Sequence, residues 1–185
     1  KLRLDRGALY PEKMFEYECL TAKKLAALLE DTQREKVDTE PVLDQAEQEL
    51  SISLSAKQKE AVRKAFAYPV SIITGGPGTG KTTIQKVLLY INEHTEKRTV
   101  LLTAPTGRAS RRMAESTGYE GSSTMHSALG LGMEEEEGAG FDYLDAEFIL
   151  ADEFSMVDMR LAYEFFSRIH SGRRLVLIGD VDQLP

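Results

Sequence analysis

Residues 70–83 read VSIITGGPGTGKTT, and this stretch decides the fold. Its first five residues, Val70–Thr74, form a short β-rich run, and a helical pattern follows over 81–94. Between them Gly75, Gly80, Lys81 and Thr82 satisfy G-x-x-x-x-G-K-[ST]. In that order of strand, glycine loop and helix, backbone N–H groups curl around phosphates and Lys81 reaches the outer ones. The Thr82 hydroxyl is placed to ligate Mg²⁺ at the positive end of a helix dipole. The nucleotide-facing residues are Gly76, Gly78, Thr79, Gly80, Lys81, Thr82 and Thr83. A glycine turn without a ligand is the competing reading, and the flanking strand and helix argue against it.

Outward from the loop the pattern repeats. RTVLLTA at 98–104, EFILA at 147–151 and RLVLIG at 174–179 are nearly continuous in apolar character, as for strands covered on both faces. Helices are predicted between them at 107–116 and 156–169. Strand, helix, strand repeated in this way predicts an α/β fold, a P-loop NTPase with a parallel sheet flanked by helices and right-handed crossovers. Ligands then sit at the carboxyl ends of the strands. Before the sheet, Ala22, Leu25, Ala26, Leu28 and Leu29 mark an amphipathic helix over 12–30. A polar linker ending in Pro41 and a short helix over 42–50 follow, so a boundary is placed near Leu50.

Composition narrows the class. The 185 residues are 42% hydrophobic and 29% charged, which suits a globular chain rather than a disordered one. Neither a membrane span nor a signal-peptide core is present in the sequence, and a cytoplasmic location is expected. Cys19 is the lone cysteine, and His94, His126 and His170 are dispersed, so any metal is expected to arrive with a nucleotide. The net charge of −7 argues against wholesale coating of nucleic acid and leaves room for a local basic groove.

FILADEFSMVD places Asp152 and Glu153 at the tip of an apolar strand. There Asp152 is suited to hold Mg²⁺ through water, and Glu153 to orient and deprotonate an attacking water. A solvated strand end is the alternative for such a pair taken alone. A kinase needs no water-activating base, and no guanine-selecting N-K-x-D occurs, so hydrolysis of ATP is expected.

Six segments taken together carry a resemblance: LSAKQ (54–58), GGPGTGKTT (75–83), TAPTGRAS (103–110), STMHSALG (123–130), DEFSMVD (152–158) and LIGDVDQLP (177–185). In order and spacing they resemble the first motor domain of superfamily 1 DNA helicases, in the RecD-like branch that includes RecD and the helicase part of conjugative relaxases. The likeness covers about residues 51–185, a RecA-like motor domain, with residues 1–50 as a helical connector. It implies an ATP-driven motor moving 5′ to 3′ on single-stranded DNA, closing on ATP with a second RecA-like domain of the same parent chain. Nuclease-complex subunits are implied as further partners. It also implies adenine contact by Gln58, catalytic roles for Lys81, Asp152 and Glu153, γ-phosphate contact by Gln183, metal binding by Thr82 and Asp152, and DNA contact by Pro105, Thr106, Arg108 and His126.

Plainer readings stand beside these. Ser55-x-x-Gln58 also fits a capping box for a helix over 56–67. Arg111 and Arg112, which the resemblance places with Arg108 against DNA phosphates beside Thr106, also fit a solvated helix face, His126 a buried hydrogen-bonded side chain, and Asp180 and Gln183 an ordinary turn. Where the RecD-like pattern carries a duplex-splitting hairpin, this sequence has the short acidic MEEEEGAG (133–140), which repels phosphates. Unwinding is therefore less supported than translocation.

Overall fold

The computed structural model describes residues 1–30, 37–131, 142–180 and 182–183. The acidic segment at 133–140 lies outside the described residues, as do 31–36, 181 and 184–185.

The chain opens with a hairpin that sequence reading missed, β1 (Leu2–Asp5) paired antiparallel with β2 (Ala8–Pro11). Arg6 and Gly7 turn it with φ of 45° and 85°, the left-handed pair that matches strand twist in a two-residue hairpin. Helix α1 (Glu12–Leu29) follows, then α2 (Glu40–Glu49) and α3 (Ala56–Ala67). Pro41 does not close a linker as expected but sits in the first turn of α2, where a missing N–H costs no helix hydrogen bond.

The parallel sheet comprises β3 (Val70–Thr74), β4 (Val100–Ala104), β5 (Ser122–Thr124), β6 (Phe148–Ala151) and β7 (Arg174–Gly179). Its order is β3-β7-β6-β4-β5, with every neighbouring pair parallel. This bears out the α/β fold. The short β5 is an addition, because Ser-Ser-Thr carries no apolar signal. Helices α4 (Lys81–His94), α5 (Gly107–Thr117), α6 (Met125–Ala128) and α7 (Met159–Ser167) fill the crossovers. The helix predicted over 156–169 is instead a 3₁₀ turn at Phe154–Met156 and then α7. Asp158 caps α7 by accepting the Leu161 N–H at 2.8 Å, which fixes the later start.

Strand alternation divides the core between the two faces. Leu102, Phe148, Leu150, Val176 and Ile178 pack with side chains of α2 to α5. Ile149, Ala151, Leu175 and Leu177 pack with Leu28, Met125, Phe165 and Phe166 from α1, α6 and α7. One strand departs from the two-sided burial expected: β3 is a sheet edge and its Ile72 is 71% exposed. Among the described residues, no helix is long and apolar enough to cross a membrane.

Candidate functional site

Three strand ends build the site. After β3 the chain turns through Gly78 and Gly80 at φ of 74° and 84°, a conformation in which any other residue is strained. Gly75 N–H donates to the Gly179 carbonyl at 3.3 Å, tying the loop to the end of β7. Lys81 Nζ donates to the Gly75 carbonyl and, at 2.9 Å, to that of Gly76. Thr79 Oγ1 donates to the Gly76 carbonyl at 2.8 Å.

Gln58 approaches the loop from the other side. The capping box is present: the Ser55 N–H donates to Gln58 Oε1 at 2.8 Å, and the Gln58 N–H to Ser55 Oγ at 3.3 Å. The same side chain also donates from Nε2 to the Thr79 carbonyl at 3.0 Å. A side chain at Gly80 would run into this amide.

At the end of β6 the Asp152 N–H donates to the Thr103 carbonyl of β4 at 2.9 Å. Asp152 Oδ1 accepts the Glu153 N–H at 2.8 Å, and Oδ2 accepts from Gln85 Nε2 at 2.8 Å. Glu153 leaves the strand at φ 50° and ψ 34°, the left-handed region. Beyond β7, Asp180 is buried and accepts from the Asp182 N–H at 3.0 Å and from Gln183 Nε2 at 3.4 Å. Asp180 thus shapes the turn that presents Gln183.

These ends surround a cavity of about 520 Å³ lined by Pro77 to Thr82, Asp152, Glu153, Asp180 and Gln183. Gly76, Thr83 and Gln58 are not among its lining residues. Pro105, Thr106, Arg108 and His126 also lie apart from it, at the ends of β4 and β5. There Thr106 and Thr124 cap α5 and α6, and the two loops run close enough that a side chain added at Gly107 would reach the Thr124 methyl group. His126 is exposed, which removes the buried alternative.

The cavity also holds residues that sequence reading did not place there. Arg112 and Ser116 of α5 line it, beside Ala109 and Met113. Their spacing of 109, 112, 113 and 116 is a single helical stripe, a signal visible in the sequence. Gln85 was missed as well, since nothing local marks its partner.

The family model described as the AAA domain matches residues 58–185. The ATP-dependent RecD2 DNA helicase of Deinococcus radiodurans is 36% identical over 135 residues, covering 71% of this chain. The RecBCD enzyme subunit RecD of Haemophilus influenzae is 35% identical over 157 residues, covering 69% of it. The chain belongs to the AAA domain family, in its RecD-like superfamily 1 helicase branch. It spans 18% and 24% of the lengths of those two RecD-like relatives. Among solved structures, the Pif1 helicase of Candida albicans is similar with a TM-score of 0.51 at 28% identity, covering 72% of this chain and 34% of that one. The UvsW helicase of bacteriophage T4, at 13% identity, shares the fold with a TM-score of 0.57, covering 95% of this chain and 73% of that one.

The D. radiodurans relative is named as an ATP-dependent DNA helicase. The donors at this site fit a magnesium ion: a threonine hydroxyl and carboxylates are hard oxygen ligands, and Mg²⁺ is commonly held by one or two carboxylates together with nucleotide phosphates.

Proposed function

We propose that this chain is the ATP-binding motor domain of a RecD-like DNA helicase or translocase, coupling Mg-ATP hydrolysis to 5′ to 3′ movement along single-stranded DNA in repair, recombination or conjugation. One observation carries the reading: Lys81, Thr82, Asp152, Glu153 and Gln183, from three strand ends, line one cavity. In this reading the loop N–H groups of Gly76 to Thr83 and Lys81 hold the phosphates, and Thr82 and Asp152 hold the metal. Bound Mg²⁺ supplies neutralisation of charge on the phosphate oxygens. Glu153 takes the proton of the attacking water, and Gln183 contacts the γ-phosphate. Gln58 exchanges its Thr79 carbonyl for the adenine edge.

Residues 51–185 form the motor and residues 1–50 the connector. A second RecA-like domain of the parent chain closes over the nucleotide. Pro105, Thr106, Arg108 and His126 meet the DNA backbone where the capped ends of β4 and β5 adjoin, a position suited to phosphate contacts. The H. influenzae relative is named as a RecBCD subunit, which supports nuclease-complex partners and a cytoplasmic setting.

The test is ATP hydrolysis by the full-length protein with and without single-stranded DNA. Strong stimulation by DNA, abolished by Lys81→Ala, is expected. Turnover indifferent to DNA would overturn the helicase reading and leave a P-loop ATPase that remodels protein or loads clamps. Nucleotide binding without turnover would instead leave a nucleotide-gated DNA-binding subunit.

A further inference from the structure

Helix α4 buries Ile84, Val87, Leu88 and Ile91 against the sheet, and among them stand two buried amides, Gln85 at 1% exposure and Asn92 at 3%. Asn92 has a structural reason to be there. Its Nδ2 donates to the Arg98 carbonyl at 3.0 Å and its Oδ1 accepts the Arg98 N–H at 3.3 Å, so both ends close the loop after the helix. Gln85 is different. Its Nε2 donates to Asp152 Oδ2 at 2.8 Å, while its Oε1 is buried with no hydrogen-bond partner among the described residues. An amide buried with an unmatched carbonyl costs stability that a methionine of similar shape avoids. A core under selection for packing alone has no use for it.

What the amide does is fix a carboxylate. Asp152 is held at both oxygens, by Gln85 on one and the Glu153 N–H on the other. The second bond also supports the left-handed backbone of Glu153, so the orientation of Asp152 and the direction in which Glu153 leaves β6 form one unit. Gln85 anchors that unit to the helix whose first residues are Lys81 and Thr82, one turn earlier. We propose that Gln85 is a positioning residue for hydrolysis: its amide locks the acid pair in register with the phosphate loop, so that Asp152 meets the nucleotide-bound metal in one fixed orientation. This rests on the roles proposed above for Asp152 and Glu153.

The test uses Gln85→Met, which keeps volume and removes both polar atoms, in the full-length protein. Three readings are taken: the thermal midpoint without ligand, fluorescent ATP-analogue affinity with and without Mg²⁺, and turnover against Mg²⁺ concentration. Expected are a midpoint equal to or above that of the parent and metal-free nucleotide affinity within about twofold. The Mg²⁺ concentration for half-maximal turnover should rise about tenfold or more, the range seen when an outer partner of a metal ligand is removed. Unchanged Mg²⁺ dependence and turnover would overturn the proposal, as would a midpoint that falls together with metal-free affinity, which marks a packing role. Should Gln85→Met not fold, Gln85→Glu removes the donor within the same shape; full metal-dependent tightening in that variant overturns the proposal. Parent protein that binds no nucleotide sinks the phosphate-loop reading itself, whereas a binding parent with an unaffected variant sinks this inference alone.

Discussion

Glu153 occupies a backbone conformation that side chains avoid, at φ 50°, just where the proposed base must stand. Left-handed residues other than glycine cost about 1–2 kcal/mol, and such strain gathers at functional sites. Glu153→Gly should therefore raise stability by about 1 kcal/mol in urea unfolding while abolishing turnover. Glu153→Gln should bind nucleotide normally and lose turnover by about 10²-fold or more. A glycine variant no more stable than the parent would show that the conformation carries no strain, and a glutamine variant of full activity would remove Glu153 from the chemistry. The glutamate was legible in the sequence as the second acid at a strand tip. Its backbone conformation was not, because it follows from a hydrogen bond to the neighbouring Asp152 carboxylate.

Between elements, the most demanding contact is the fully buried Arg174 at the start of β7. Its guanidinium bonds Glu96 at 2.7 Å and the Ala65 carbonyl at 2.8 Å and lies 4.7 Å from the Phe66 ring centre, joining β7 to α3 and to the loop after α4. Burial pushes the arginine below its usual pKa, and Glu96 pulls it back up. Removing one partner strands a buried charge, so Glu96→Gln should cost about 3–5 kcal/mol, whereas Glu96→Gln with Arg174→Met should cost clearly less. A double variant that loses the sum of the Glu96→Gln and Arg174→Met losses, measured by urea unfolding, would show that the pair is not coupled. A second link joins α2 to α3. There the Leu54 N–H and then the Lys59 ammonium hold the Glu47 carboxyl below the usual glutamate range. A carboxylate with a depressed folded pKa contributes stability that is fully present above the unfolded value and is lost as pH falls through the folded one. The urea midpoint should therefore hold from neutral pH down to about 5 and fall below it. Glu47→Gln should flatten part of that acid limb, and an unchanged limb would rule Glu47 out as its source. Neither link was legible in the sequence, since Arg174 reads as the polar start of an apolar strand and Glu96 is 78 residues away.

For the whole molecule, the proposed partner domain sets the sharpest expectation. In such motors an arginine brought by the partner stabilises the phosphoryl transition state, a contribution worth about 10³–10⁵ in rate. The isolated chain of 185 residues should then bind ATP weakly and hydrolyse it slower than the DNA-stimulated full-length protein by a factor in that range. Comparable turnover in the two, lost on Glu153→Gln, would show that the site is complete without a second domain.

The sequence by itself determined the parallel α/β sheet and the family. Strands buried by helices must be continuously apolar, and a phosphate loop must have glycine, lysine and a hydroxyl at fixed spacing, so β6, β7, Lys81 and Thr82 could be read from neighbours in the chain. The hairpin at Leu2–Pro11 escaped although Arg6-Gly7 is a turn signal, because Leu2, Leu4 and Leu9 remain exposed and mark no core. Only the tertiary structure decided which polar side chains serve the site. Gln85 meets Asp152 across 67 positions, Arg112 and Ser116 face the phosphate loop from another crossover, and Gln58 spends one amide on both a helix cap and that loop. Hydrogen bonds depend on proximity in space, and proximity between distant segments exists only once the sheet has ordered its strands.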